Sequence, residues 1–212
     1  MFKNQVVNVI ILIVLITAGI YFGRKVWDEY FPGDYPMVVP TVKAEFSFSE
    51  NEIRVDLSGT TKSGRIIVYA YSSNSTFYGI LKPINNNTLF IRKNDFADFA
   101  VPVRRGEIGN SHFLKKMDRY VKKVDMFRII KDSSESGRNF GVQNCLYPIC
   151  TKCTDGCKSV IHGGDLPIVM KVMKNGEIMP EFSRGKCPRC GKCFIWCPSG
   201  VIKRSKKPWE EQ

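Results

Sequence analysis

The first 144 residues of this 212-residue chain hold no cysteine, and the whole chain has only two histidines, His112 and His162. It has no Ser/His/Asp or Cys/His nucleophile pattern, no phosphate-cradling glycine loop and no GxGxxG after a strand. The residue sets that carry nucleophilic catalysis or nucleotide binding are therefore missing, and the chain reads as no enzyme in its own right. Both histidines read as ordinary loop or cap residues. Acidic residues are also few, 20 against 32 Lys and Arg, which gives a formal net charge of +12. Such an excess raises nucleic acid as a partner. No nucleic-acid motif or aromatic–basic platform accompanies it, so no nucleic acid is expected.

All eight cysteines fall in the last third of the chain, in two quartets. The first is Cys145-x4-Cys150-x2-Cys153-x3-Cys157. The second, Cys187-x2-Cys190-x2-Cys193-x3-Cys197 followed by Pro198, has the bacterial iron–sulfur spacing C-x2-C-x2-C-x3-C-P. Three thiolates two residues apart on a tight loop containing Gly191 wrap one corner of a cluster. The fourth, launched into the next helix, points away toward another. Zinc and disulfides are the competing readings. Structural zinc usually draws short cysteine pairs from separate hairpins, and three cysteines at this spacing crowd one ion. Adjacent C-x2-C loops make strained disulfides. Haem attachment requires His after C-x-x-C, where Thr154, Gly191 and Phe194 stand.

On these cysteines, residues 143–203 resemble the two-cluster [4Fe–4S] ferredoxins. The resemblance implies two [4Fe–4S] clusters with interleaved ligands. One takes Cys145, Cys150, Cys153 and Cys197; the other takes Cys187, Cys190, Cys193 and Cys157. Met170 to Phe182 reads as a hairpin turning at Lys174-Asn175-Gly176, where such ferredoxins place a short strand pair. The chain departs from the family in three ways. The first gap is four residues instead of two, Lys158 replaces a second proline, and the loop from Lys158 to Lys186 is long. A three-cysteine [3Fe–4S] site at the first quartet stays open for that reason. Lys152, Lys158, Lys186, Arg189 and Lys192 lie in or beside the cysteine loops, where they would offset cluster charge and raise the reduction potential. Leu146, Ile149, Val160, Ile161, Phe194, Ile195, Trp196 and Ile202 are the expected dry shell.

At the other end, Val6 to Phe22 is a charge-free apolar run broken only by Asn8 and Thr17. Tyr21, Phe22, Trp27, Tyr30 and Phe31 fit an interfacial belt. An uncleaved transmembrane anchor over residues 6–23 is expected, at the short end of the usual length. The competing cleaved signal peptide is disfavoured because no small-x-small site follows the run. Lys3 before the span and Arg24 and Lys25 after it bias the rest toward the cytoplasm. No twin-arginine pair precedes the run, which argues the same way. An extracytoplasmic side stays open, since short N-termini often remain inside.

A Pro/Gly linker fills 24–40. Residues 41–104 alternate apolar and polar positions: Phe46 and Phe48; Ile53, Val55 and Leu57; then the run Ile66 to Tyr71, with shorter candidates at Leu89 to Ile91 and Phe99 to Val103. Turn residues, including Asn85-Asn86-Asn87, recur between them, predicting a small antiparallel β-sandwich or barrel. Its aromatics Phe77, Tyr78, Phe90, Phe96 and Phe99 read first as packing and second as a docking face. Within 105–140, Ser111 to Lys131 reads as an amphipathic basic helix, with Phe113, Met117, Tyr120, Val124 and Phe127 on one face. Asp132 to Asn139 reads as a flexible joint. The cysteine domain covers 141–203 and a basic tail 204–212.

The expected architecture is thus α+β: an N-terminal transmembrane helix, a small β-sandwich or barrel-like module and a C-terminal ferredoxin-like α+β domain. The expected function is a membrane-anchored carrier relaying single electrons through two [4Fe–4S] clusters to a redox partner protein or membrane complex subunits. The alternative is a structural, assembly or redox-sensing protein whose clusters or zinc hold the fold or report oxidation.

Overall fold

Period-two alternation and turn residues dominate the chain, and the computed structural model is accordingly mostly β. It describes residues 12–23, 35–39, 42–59, 61–102, 107–108, 123–161, 163–183 and 185–205. Residues 12–23 form a helix, α1. The strands before the next helix are β1 (Tyr35–Val38), β2 (Val42–Phe48), β3 (Glu52–Gly59), β4 (Arg65–Tyr71), β5 (Thr76–Pro83), β6 (Thr88–Arg92), β7 (Phe99–Pro102) and β8 (Glu107–Ile108). Helix α2 (Met126–Glu135) leads to β9 (Phe140–Gln143), α3 (Lys152–Lys158), β10 (Ile168–Val172), β11 (Ile178–Phe182), α4 (Lys192–Ile195) and β12 (Ile202–Ser205).

Two of the expectations fail at the N-terminus. At about 1.5 Å per residue, the described part of α1 is about 18 Å long, well short of the roughly 30 Å of bilayer hydrocarbon. Among the described residues no helix is long and apolar enough to cross a membrane. The transmembrane anchor over 6–23 is thereby corrected, and with it the single-pass membrane placement. Residues 6–11 lie outside the described residues.

The strands of the compact unit spanning Pro36–Arg204 form four small sheets among the described residues. β2-β3-β6 and β7-β5-β4-β9 are antiparallel, as is β11-β10-β8, and β1 pairs with β12. β6 follows a tight turn in which Asn86 and Asn87 take φ of 47° and 60°, left-handed values that asparagine tolerates better than most residues.

The run Ile66-Ile67-Val68-Tyr69-Ala70 explains the layering. An unbroken apolar strand has no solvent face and is buried on both sides. Ile66, Val68 and Ala70 point into a core with Ile53, Val55 and Ile91 of the β2-β3-β6 sheet. Met126, Phe127 and Ile130 of α2 close that core. Ile67 and Tyr69 point the other way, into a second core with Phe77, Phe99, Ile168, Ile178 and four of the cysteines. The four-stranded sheet is thus the middle layer. On its second face Tyr69, Phe77 and Phe99 stack at centroid distances of 5.1 and 6.0 Å.

This layering corrects the expected α+β division into a self-contained β-module and a ferredoxin-like domain. The cysteine segment has helices of only seven and four residues. Its strands belong to shared sheets: β9 pairs with β4 in register Ile67↔Gln143 to Ala70↔Phe140, and β10 pairs with β8 as well as β11. The hairpin turning at Lys174-Asn175-Gly176 is present, with the Met173 N–H donating to Glu177 O at 2.8 Å. Its strand β11 lies at a sheet edge, where Pro180 is tolerated. Tyr69 Oη and Tyr71 Oη donate to the turn carbonyls of Asn175 and Gly176 at 2.7 and 3.0 Å, fastening hairpin to middle sheet.

Of the basic helix expected over Ser111–Lys131, the described residues 123–125 are not helical and the helical part begins after them. Asp125 caps α2, its carboxylate accepting from Phe127 N at 2.9 Å and Arg128 N at 3.4 Å, so the helix starts at Met126. It continues through Glu135, over residues expected in a joint, because Ile129, Ile130 and Ser133 are buried there. Ser133 Oγ donates to the Tyr71 carbonyl and holds α2 to β4. Residues 111–122 of the expected helix, His112, His162 and residues 206–212 of the tail lie outside the described residues.

Candidate functional site

The eight cysteines are carried by three local devices. The first is the loop after β9, where Cys145 is buried and Cys150 half-buried. It is shaped by Gln143, which is fully buried. Gln143 Nε2 donates to the carbonyls of Cys145 at 3.0 Å and Tyr147 at 2.8 Å. Its Oε1 accepts from Ile178 N at 2.9 Å. One side chain thus ties the Cys145 loop to β11. The Tyr147–Pro148 peptide within this loop is cis.

The second device is α3, with Cys153 and Cys157 four residues apart on one face, about 6 Å along the axis. The third is the Cys187–Cys197 loop with α4. Gly191 takes φ +77° ahead of α4, a left-handed conformation glycine adopts without strain. A Cβ there would press the Phe194 ring, with Cζ 2.8 Å away. Gly156 lets the helices meet, since a Cβ on it would stand 3.3 Å from both Lys192 Cβ and Trp196 Cε3. Ser199, just after Cys197, accepts from the Lys62 N–H at 3.3 Å and from Asn144 Nδ2 at 3.5 Å.

The thiols gather in two groups, and each draws on both motifs. Cys145, Cys150, Cys153 and Cys197 line one cavity of about 280 Å³, open mouth included, together with Leu146, Tyr147, Pro198, Ser199, Val201 and Ile202. Cys157 has Cys187 and Cys190 as charge neighbours, and Cys193 has Cys157, Cys187 and Cys190. Along α3 the chain passes from the first group to the second. From Cys193 to Cys197 it passes back.

Burial governs the chemistry of these thiols. It pushes the Cys145 thiol far above its usual range, with smaller contributions from neighbouring Cys153, Cys197 and Cys150. Burial likewise pushes Cys153 and Cys193 up to about 12 and Cys157 to about 11. Cys187 is raised for the same reason, partly offset by a backbone N–H from Arg189. Undisturbed, the buried thiols stay protonated near neutral pH; a cation between them reverses that balance.

Among the described residues no three Cys, His, Asp or Glu side chains form a group that holds a metal ion. The expectation of a metal-binding protein is corrected to that extent: its cysteines form no such group among the described residues. A single zinc ion, about 2.3 Å from each sulfur, needs thiols within about 4 Å of one another. The four thiols of the first group line one open pocket together, whereas a polynuclear centre needs each thiolate to meet a different metal atom.

The expected tuning cations have mixed settings. Lys186 Nζ pairs with Asp165 at 2.9 Å, and Lys192 Nζ donates to Ser159 Oγ at 3.0 Å. Lys152 and Lys158 are exposed at the ends of α3, and Arg189 is half-buried with φ +57°. The dry shell is partly different from the expected one. Ile202 and Leu146 line the cavity, but Ile149, Ile195 and Trp196 are exposed. Tyr147 and Val201 take their place, and neither they nor Gln143 stood out in the sequence. An amide closing the Phe140–Gln143 strand, two residues before the first cysteine, was the available signal.

No family model, curated protein or solved structure matches this chain.

Proposed function

We propose that this chain is a one-electron carrier whose eight cysteines hold two [4Fe–4S] clusters and which exchanges electrons with a redox partner protein. The observation that supports this most is the crossing of motifs: Cys197 lines the cavity of Cys145, Cys150 and Cys153, while Cys157 joins Cys187, Cys190 and Cys193. Independent zinc sites have no need of such an exchange, whereas the two-cluster spacing depends on it. When bound, such clusters supply one-electron redox chemistry at potentials set by their surroundings. Leu146, Tyr147, Val201 and Ile202 give the first group a mostly apolar lining, and Gln143 holds the Cys145 loop from behind. The exposed Cys190 leaves the second group open to a partner.

The test uses the full chain, because the cysteine segment shares its core with β4, β5 and β7. Anaerobic purification with iron and acid-labile sulfide analysis, then EPR after dithionite reduction, should give about eight of each and the broadened signal of two interacting centres. About four irons, or about seven with a [3Fe–4S] signal before reduction, would indict the long Cys145–Cys150 loop. Zinc without sulfide refutes the proposal. Cys197→Ser should impair the group containing Cys145, and Cys193→Ser the group containing Cys157. Loss of the same centre in both variants rejects the interleaved assignment.

A further inference from the structure

Cys197 is the thiol that the second motif contributes to the Cys145 group, and Pro198-Ser199-Gly200 follows it. Ser199 is 3 % exposed, and its hydroxyl lies 3.5 Å from Cys197 Sγ. A buried hydroxyl needs a hydrogen-bond partner, and among the described residues the sulfur is the partner this one has. As a free thiol, Cys197 can donate to the hydroxyl or accept from it. As a metal-bound thiolate it carries no proton, so Ser199 Oγ–H becomes the donor.

The backbone holds the hydroxyl in that place. Pro198 has its φ fixed by its ring just ahead of Ser199. Gly200, buried and at φ +71°, turns the chain just after it in a left-handed conformation that a side chain would strain. A Cβ on Gly200 would stand 2.8 Å from Lys62 Cδ, so this turn lies against the Lys62 stem. Between the two, the Ser199 carbonyl accepts from Lys62 N at 3.3 Å and from Asn144 Nδ2 at 3.5 Å. Ser199 is thus pinned by the β3–β4 loop and by the residue before Cys145, and it lines the cavity of the first group.

We infer that Ser199 is a positioning residue for electron transfer: its hydroxyl donates to the Cys197 thiolate and raises the reduction potential of the Cys145 group. This rests on the electron-carrier reading and deepens it for one of the two groups. A donor aimed at a ligand sulfur stabilises negative charge there. One electron entering the group increases that charge, so the Ser199 hydrogen bond strengthens on reduction and favours the reduced state. The proton stays on Ser199 Oγ throughout, and no covalent bond forms or breaks.

The experiment takes the full chain, purified anaerobically with iron and sulfide measured first, and follows a redox titration by EPR. In Ser199→Ala one midpoint should fall, with iron content unchanged and the other midpoint in place. The oxidised-to-reduced ratio at fixed potential should change about tenfold, which is about 59 mV for a one-electron couple. The shifted centre should be the one that Cys197→Ser impairs. Ser199→Thr, which keeps the hydroxyl, should return the midpoint toward the parent value. Resonance Raman supplies a second readout: transfer to D2O should move an Fe–S stretch of that centre less in Ser199→Ala than in the parent chain. Full iron with both midpoints unchanged, or a shift confined to the other centre, overturns the role of Ser199 alone. A lowered midpoint with the same solvent-isotope shift in both chains does so too. Loss of iron from the Cys145 group in Ser199→Ala overturns it in favour of a hydroxyl that only holds the loop. Absence of iron and sulfide from the parent chain refutes the carrier reading first, and this one with it.

Discussion

Gln143→Leu is the substitution for which the structure makes the strongest quantitative statement. The side chain is fully buried and makes three hydrogen bonds, to Cys145 O, Tyr147 O and from Ile178 N, at 3.0, 2.8 and 2.9 Å. Leucine has similar bulk but offers neither donor nor acceptor, so two carbonyls and one N–H lose their partner inside the protein. A buried backbone group left unpaired costs about 1–3 kcal/mol, and the lower end applies where the loop relaxes toward water. Three such groups give about 3–5 kcal/mol, against which the added apolar contact returns about 1 kcal/mol. The net loss, about 2–4 kcal/mol, is a large part of the 5–15 kcal/mol typical of a folded domain. Urea unfolding followed by far-UV circular dichroism should show a lower midpoint at unchanged slope. The variant should also lose iron from the Cys145 group before the Cys157 group, because only the former loop is released. A loss below about 0.5 kcal/mol would mean that these bonds do not order the loop, and would refute the reasoning.

Two further substitutions probe the middle sheet and the hairpin. At Gly79 in β5 an added Cβ would overlap the Phe99 ring, which is 1 % exposed, so Gly79→Ala should lower stability by about 1–3 kcal/mol, read as a drop in melting temperature. Glu177 has its carboxyl raised above the ordinary 4.5 by burial, with a hydrogen bond from Asn175 Nδ2 at 2.8 Å partly opposing it. The folded state then holds this proton more tightly than the unfolded one, so stability falls as pH rises from about 4.5 through the raised value. Glu177→Gln should flatten that decline in a pH series of unfolding midpoints; an unchanged slope would show that Glu177 is not its source.

Much of the β architecture could be read from local patterns because they report local physics. Alternation in Ile53, Val55 and Leu57 reflects one buried face, and the Asn85–Asn87 and Lys174–Gly176 turns need residues that tolerate positive φ. Thr76–Pro83 was not read as a strand: its buried positions are Phe77, Gly79 and Ile80, so the alternation breaks after Gly79. The helix start at Met126 was not read for a related reason: apolar spacing alone cannot say where a cap such as Asp125 will start a turn. The apolar N-terminal run met the composition rule for a membrane span, but the described helix is too short to cross one.

The spacing of eight cysteines, the strand periodicity, the hairpin turn and the basic balance are properties of neighbouring residues, and the sequence alone determined them. Tertiary structure decided what depends on residues far apart in the chain. It put Ile67 and Tyr69 against the cysteine segment and Ile66 and Val68 against the other sheet, making one buried middle layer of what reads as a separate module. It placed Cys197 beside Cys145 across about fifty residues, set Gln143 behind the first loop, and left Trp196 in solvent and not over the site. Which of several apolar side chains is covered depends on which surfaces the sheets bring together, and no local period carries that information.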